Sequence, residues 1–276
     1  LQLNRGITND GLPKFSNIAA FSGVKSTDWS WAGLFADFDH DGYKDLFVSN
    51  GTRRDIHNND FFNQFDKSSY FQNNVKREKD AYKIIEKMPS EPLENYLFKN
   101  NGDLMFTNKS AQWGLTDKTF SNGATYADLD NDGDLDLVVN NIDQEAGIYE
   151  NTINEQENTN YLKVNFKGTG QNLMGIGNLV TIYNDGEMQK SELMLTRGYQ
   201  SSVEPIIYFG VQSHTSIDSL VVQWMVFINR ITNVYFKRCL YFSKVTGYSE
   251  FFHLLLNDFH RVYARYLQNL LINFMT

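Results

Sequence analysis

The chain has 276 residues, 41% hydrophobic and 21% charged, a balance that builds a folded core and excludes global disorder. Its net charge of −8 disfavours nucleic acid as a partner, because phosphates call for clustered Lys and Arg. The single cysteine, Cys239, excludes a disulfide framework and a cysteine zinc site, and no run of about 18 apolar residues exists to cross a bilayer. The sequence opens at Leu1 with neither Met nor a basic, apolar leader, so the expectation is a removed signal peptide or an internal fragment.

Taken in chain order, Leu3-Asn4-Arg5-Gly6 and Phe15-Ser16-Asn17-Ile18 read as the two strands of a worn hairpin. Residues 33–51, GLFADFDHDGYKDLFVSNG, then give a strand, an acidic loop and a strand. Residues 55–95 read as a partly helical insertion, with Val75, Tyr82, Ile85 and Met88 on one face of a helix over 73–88 that Pro89 and Pro92 end. A second hairpin follows, Asn95–Phe98 and Leu104–Thr107, around the turn Asn100-Asn101-Gly102-Asp103. Residues 123–141, GATYADLDNDGDLDLVVNN, then repeat the acidic unit about 90 residues after its first copy. The order hairpin, then acidic loop, thus occurs twice.

The two loops align as D-x-D-x-D-G-x-x-D: Asp37 with Asp128, Asp39 with Asp130, Asp41 with Asp132, Gly42 with Gly133, Asp45 with Asp136. Alternate carboxylates in a tight loop can converge on one centre, and calcium takes six to eight oxygen ligands. Gly at the sixth position meets the need for a residue tolerant of positive φ. The seventh residue, Tyr43 or Asp134, would offer its backbone carbonyl, and Asp45 or Asp136 would close the shell. Two calcium sites are therefore expected, with Asp37, Asp39, Asp41, Tyr43 and Asp45 in one and Asp128, Asp130, Asp132, Asp134 and Asp136 in the other. An EF-hand would place Glu at the twelfth position between helices; Val48 and Val139 stand there, in strand sequence. The alternative without a metal is a pair of acidic turns.

With their flanking strands, these loops resemble the FG-GAP/VCBS repeats of integrin-α-like β-propellers, in which calcium sits in a hairpin loop of a blade. The stretch after them resembles the ASPIC/UnbV domain that follows such repeats in cartilage acidic protein and its bacterial relatives. The matching residues are Tyr161–Val164, Gly175-Ile176-Gly177-Asn178, Arg197–Ser201, Glu204-Pro205, Tyr208-Phe209-Gly210 and Val221–Trp224. The resemblance implies an all-β chain: partial propeller blades over 1–150, an ASPIC/UnbV-like β domain over 151–235, and a divergent tail over 236–276. Two acidic units are too few to close a ring of four or more blades. Met225-Val226-Phe227 departs from the family pattern, and Ile231–Val234 recovers it briefly.

Other signals are weaker. Gly168-Thr169-Gly170 and Gly175-Ile176-Gly177 read as strand turns rather than phosphate loops, since no Gly-Lys-Ser/Thr follows. His40, His57, His214, His253 and His260 are scattered without a zinc spacing. Arg197 and Glu204 read as a structural ion pair before a catalytic one. Apolar residues at helical spacing over 249–276 read as an amphipathic helix, either packed on the β core, bound to a partner or membrane surface, or foreign to the native protein. The function expected is a non-enzymatic, secreted or cell-surface module that binds an extracellular protein or glycan, with calcium in a structural role. A calcium-dependent hydrolase of surface glycans or phosphoesters is the alternative.

Overall fold

In the computed structural model, the described residues are 1–56, 58–64, 82, 85–156, 159–168, 171–224, 227–235 and 239–243. The helix expected over 73–88 lies mostly outside them, although Tyr82 and residues 85–87 are helical; the expected tail helix lies wholly outside them. The structure is mostly β, as the all-β reading requires. Among the described residues no helix is long and apolar enough to cross a membrane.

By its contacts the chain forms two compact units. Of the described residues, the first takes in those within Leu1–Phe38, Tyr43–Thr152 and Thr196–Val203, and the second those within Asp39–Gly42, Ile153–Leu195 and from Glu204 to Ser243.

In the first unit, strands β1 (Gln2–Ile7) and β2 (Pro13–Asn17) form an antiparallel hairpin. Strands β3 (Ser30–Ala36), β4 (Asp45–Asn50), β6 (Tyr96–Asn100) and β7 (Phe106–Asn108) form an antiparallel sheet in that order. The short strands β5 (Leu93–Glu94) and β8 (Lys118–Thr119) pair with each other, and a short helix, α1, spans Asn59–Gln64. Strands β9 (Ser121–Ala127), β10 (Asp136–Asn141) and β11 (Gly147–Tyr149) form a second antiparallel sheet centred on β10. Alternation explains the burial of β3: Ala32, Leu34 and Ala36 point inward, while Trp31 and Phe35 are exposed.

The worn hairpin is a true copy of the later one. Gly6 N donates to Asn4 Oδ1 as Gly102 N donates to Asn100 Oδ1, at 2.8 and 3.0 Å. After each hairpin, Ala19 N donates to Asn17 Oδ1 as Ser110 N donates to Asn108 Oδ1. The turns that follow are closed by Ser22 N on Ile18 O and by Trp113 N on Lys109 O, both at 2.8 Å. Leu3 and Lys99 differ in character, yet side-chain identity was never the requirement here. The Asn that folds back on its own backbone is.

In the second unit, strand β12 (Tyr161–Lys167) lies between antiparallel β15 (Ile206–Gly210) and parallel β18 (Cys239–Ser243). Strands β14 (Glu187–Glu192), β13 (Leu179–Asn184), β16 (Ser216–Trp224) and β17 (Phe227–Tyr235) make the other sheet, in that order. A four-residue helix, α2 (Ile153–Gln156), precedes β12. Leu162, Val164 and Phe166 of β12 pack with Val180 and Ile182 of β13 and Leu220 and Val222 of β16 in one core between the two sheets. The briefly recovered segment Ile231–Val234 lies in β17, paired to β16. The Gly175–Gly177 stretch is a turn, with both glycines at positive φ, and Asn172 closes it through its side-chain amide.

Candidate metal centres

The two acidic loops join β3 to β4 and β9 to β10. Their backbones match where the sixth position demands it, with φ of 92° at Gly42 and 102° at Gly133. The fourth positions, His40 and Asn131, are also left-handed, at 57° and 64°. In the second loop two acidic side chains cap the backbone two residues on, Asp132 N donating to Asp130 Oδ1 and Asp134 N to Asp132 Oδ1, both at 3.1 Å; in the first loop Asp41 N donates to Asp39 Oδ1 at 3.4 Å.

The carboxylates gather in two clusters. Asp37, Asp39 and Asp45 present ligand oxygens within 4.8 Å of one another in the first loop, and Asp128, Asp130 and Asp132 do so in the second. The first cluster does not include Asp41, nor the second Asp134 and Asp136. Asp134 is fully buried, and Tyr43 turns its ring outward, close over Gly102. Oxygen donors alone, crowded at this spacing, suit a hard divalent cation such as calcium rather than zinc or copper. Asp132 carries the signature of the crowding: burial raises its carboxyl above the ordinary value, and the neighbouring charge of Asp130 adds to the rise.

The ninth position has a second task that the spacing does not reveal. Asp45 is fully buried; its Oδ2 accepts Phe38 N at 3.1 Å and its Oδ1 accepts Asn100 N at 2.9 Å. Asp136 repeats this, with Oδ2 accepting Leu129 N and Oδ1 accepting Asn151 N, both at 2.8 Å. Each ninth carboxylate is therefore a strap that ties the start of its loop to the following hairpin strand or its end. A carboxylate oxygen has more than one acceptor site, so Asp45 can strap and still face its cluster.

Two asparagines complete the arrangement. Asn100 donates its side-chain amide to Lys44 O at 3.1 Å, and Asn151 donates to Leu135 O at 3.3 Å. Both therefore hold the eighth carbonyl with the side chain and the ninth carboxylate with the backbone. Each closes a similar short run, Leu97-Phe98-Lys99-Asn100 and Ile148-Tyr149-Glu150-Asn151, which is the signal by which the sequence could have disclosed them. Burial lowers the ammonium of Lys44 below its usual value, Arg197 lowers it further, and Asp37 opposes both.

The segment Thr196–Val203 packs within the first unit. A Cβ on Gly198 would stand 3.0 Å from Leu34 Cδ2, and Thr125 Oγ1 donates to Ser202 O at 2.6 Å. Tyr199 lies with its ring centroid 4.8 Å from that of Trp31, which in turn is 6.3 Å from Trp29. The indole of Trp31 donates to Gly51 O at 2.5 Å, which fixes its plane while leaving 36% of the residue exposed. In the second unit Glu204 accepts the Tyr208 hydroxyl at 2.6 Å.

Comparison with known proteins finds two family matches. The FG-GAP-like repeat matches residues 90–139, which span the second hairpin and the second acidic loop. The ASPIC and UnbV family matches residues 168–234, ending within β17. No curated protein matches the chain.

Proposed function

We propose that this chain, an FG-GAP repeat protein with an ASPIC/UnbV domain, is a secreted or cell-surface binding module stabilised by calcium in its two acidic loops. The observation that carries the reading is the pair of carboxylate clusters, each in a loop held by its own strap and asparagine, Asp45 with Asn100 and Asp136 with Asn151. Asp37, Asp39 and Asp45 would hold one ion, Asp128, Asp130 and Asp132 the other, with the carbonyls of Tyr43 and Asp134 as further donors. The role of the ion is structural: it converts mutual repulsion of crowded carboxylates into ligation, and it adds stability by binding only the folded state. Weak sites of this kind stay filled at millimolar extracellular calcium.

Binding is favoured over hydrolysis because the clustered carboxylates are accounted for as ligands of the ion. The Trp29, Trp31 and Tyr199 rings supply a contact surface of the kind that takes a sugar face or an apolar side chain, with Trp31 held rigid by Gly51. The partner is accordingly an extracellular glycan or protein.

Thermal unfolding of the whole chain with EGTA and then with increasing calcium tests this. The midpoint should rise with calcium, and the rise should vanish in Asp39→Ala combined with Asp130→Ala. A midpoint indifferent to calcium in the wild type would reduce both loops to acidic turns.

A further inference from the structure

Asn151 does something that Asn100 does not. Its backbone N–H holds Asp136 Oδ1, and its side-chain amide holds Leu135 O, both in the second loop. The same amide also donates to Phe38 O, in the first loop, at 2.7 Å. Phe38 N in turn donates to Asp45 Oδ2. One residue thus links the two strap carboxylates: from Asp136 to Asn151, from Asn151 to the backbone of Phe38, from Phe38 to Asp45. The Phe38 ring meets Tyr126, in the strand that enters the second loop, edge-on at 6.3 Å between centroids. Phe38 sits directly after Asp37, so whatever fixes its carbonyl also fixes the first carboxylate of the first cluster.

We propose that Asn151 is a positioning residue shared by the two acidic loops, coupling them so that filling either loop raises the calcium affinity of the other. The inference rests on the calcium reading above. An amide has two hydrogens, and here each has its own acceptor, one in each loop. Ordering the second loop fixes Leu135 and Asp136, and through Asn151 it pre-forms the start of the first. The first loop then loses less conformational freedom when it closes on its ion. Reciprocity follows from linkage: the first loop must favour the second by the same factor.

The test is calcium titration of the whole chain by calorimetry, on the wild type, Asp130→Ala, Asn151→Ala and the double variant. The wild type should take up two ions cooperatively. Asp130→Ala changes no carboxylate of the first loop, yet the remaining site should weaken by about 5-fold or more. Adding Asp39→Ala to that variant should abolish the remaining uptake, which identifies it as the first loop. In the Asn151→Ala background, Asp130→Ala should no longer change the first site. This separates the bridge from long-range charge, since the loss of one negative charge would act in either background. Asn100→Ala, which loosens the first loop alone, should weaken its site while preserving its dependence on the second. Equal first-site affinity in the wild type and Asp130→Ala would overturn the coupling and leave the calcium reading standing. A dependence on Asp130 that persists without Asn151 would also overturn it. No uptake by the wild type would overturn the calcium reading itself, and the coupling with it.

Discussion

The two acidic loops share a motif, a strap and a clamp, and yet they gather different carboxylates. The first draws in Asp37, Asp39 and the strap Asp45; the second draws in Asp128, Asp130 and Asp132 and leaves its strap Asp136 outside. Their tips differ as well. His40 is almost fully buried, its ring against Tyr161 and its carbonyl accepting Gln212 N at 3.0 Å. The corresponding Asn131 is exposed, as is its neighbour Asp130. The motif fixes the backbone, through left-handed residues at the fourth and sixth positions. What surrounds the tip decides which carboxylates turn toward the centre.

The largest effect should come from the straps. Replacing Asp45 by Ala orphans the buried Phe38 N–H and the part-buried Asn100 N–H and should cost about 3 kcal/mol in calcium-free denaturant unfolding, while Asp136→Ala orphans two part-buried N–H groups, of Leu129 and Asn151, and should cost somewhat less. Asn at either position keeps one acceptor and should cost less. Calcium separates the two positions. Asp45→Ala also removes a member of its cluster and should lose part of the calcium-dependent stabilisation. Asp136→Ala leaves Asp128, Asp130 and Asp132 in place and should retain more of it. Equal loss of the calcium response in both variants would erase the distinction between the loops.

That distinction marks where sequence stops being informative. Spacing alone discloses the loops, the positive φ at Gly42 and Gly133, and the strands through Val48 and Val139, because these depend on neighbours within a few residues. The double use of Asp45 does not appear in the spacing, because its partner Asn100 comes from another strand, 55 residues away. Asn151 reaches still farther, 113 residues, to Phe38. The run Arg197–Ser201 carries the resemblance to the second module, yet its contacts lie in the first unit. The reason is local and steric: Gly198, at φ 71°, brings the backbone so close to Leu34 that a Cβ would stand 3.0 Å from its Cδ2. The helix over 73–88 and the amphipathic pattern over 249–276 rest on periodicity alone, and they lie largely or wholly outside the described residues.

A middle-sized effect is expected at the sixth position. Gly42→Ala and Gly133→Ala both force an L side chain into the left-handed region, at about 1–2 kcal/mol. Gly42→Ala should cost about 1 kcal/mol more, because its Cβ would stand 2.8 Å from the Gln189 amide and displace its bond to Gly210 O. Chemical denaturation in EGTA compares the pair, and equal losses would mean that the Gln189 side chain swings clear.

The smallest effect isolates the tips themselves, by exchanging their fourth residues. Asn tolerates the left-handed conformation better than His, so backbone preference alone predicts that His40→Asn stabilises. The buried ring argues the other way: His40 lies 5.4 Å from Tyr161 between centroids, and its Nδ1 is 3.3 Å from Thr159 Oγ1. Loss of that packing should outweigh the backbone gain and leave a net cost of about 1 kcal/mol. The reverse exchange, Asn131→His, enters an exposed tip and should change stability by less than about 0.5 kcal/mol. Urea midpoints of both variants decide the point. If His40→Asn proves as neutral as Asn131→His, the burial of the first tip contributes nothing to stability, and the loops differ only in which carboxylates they collect.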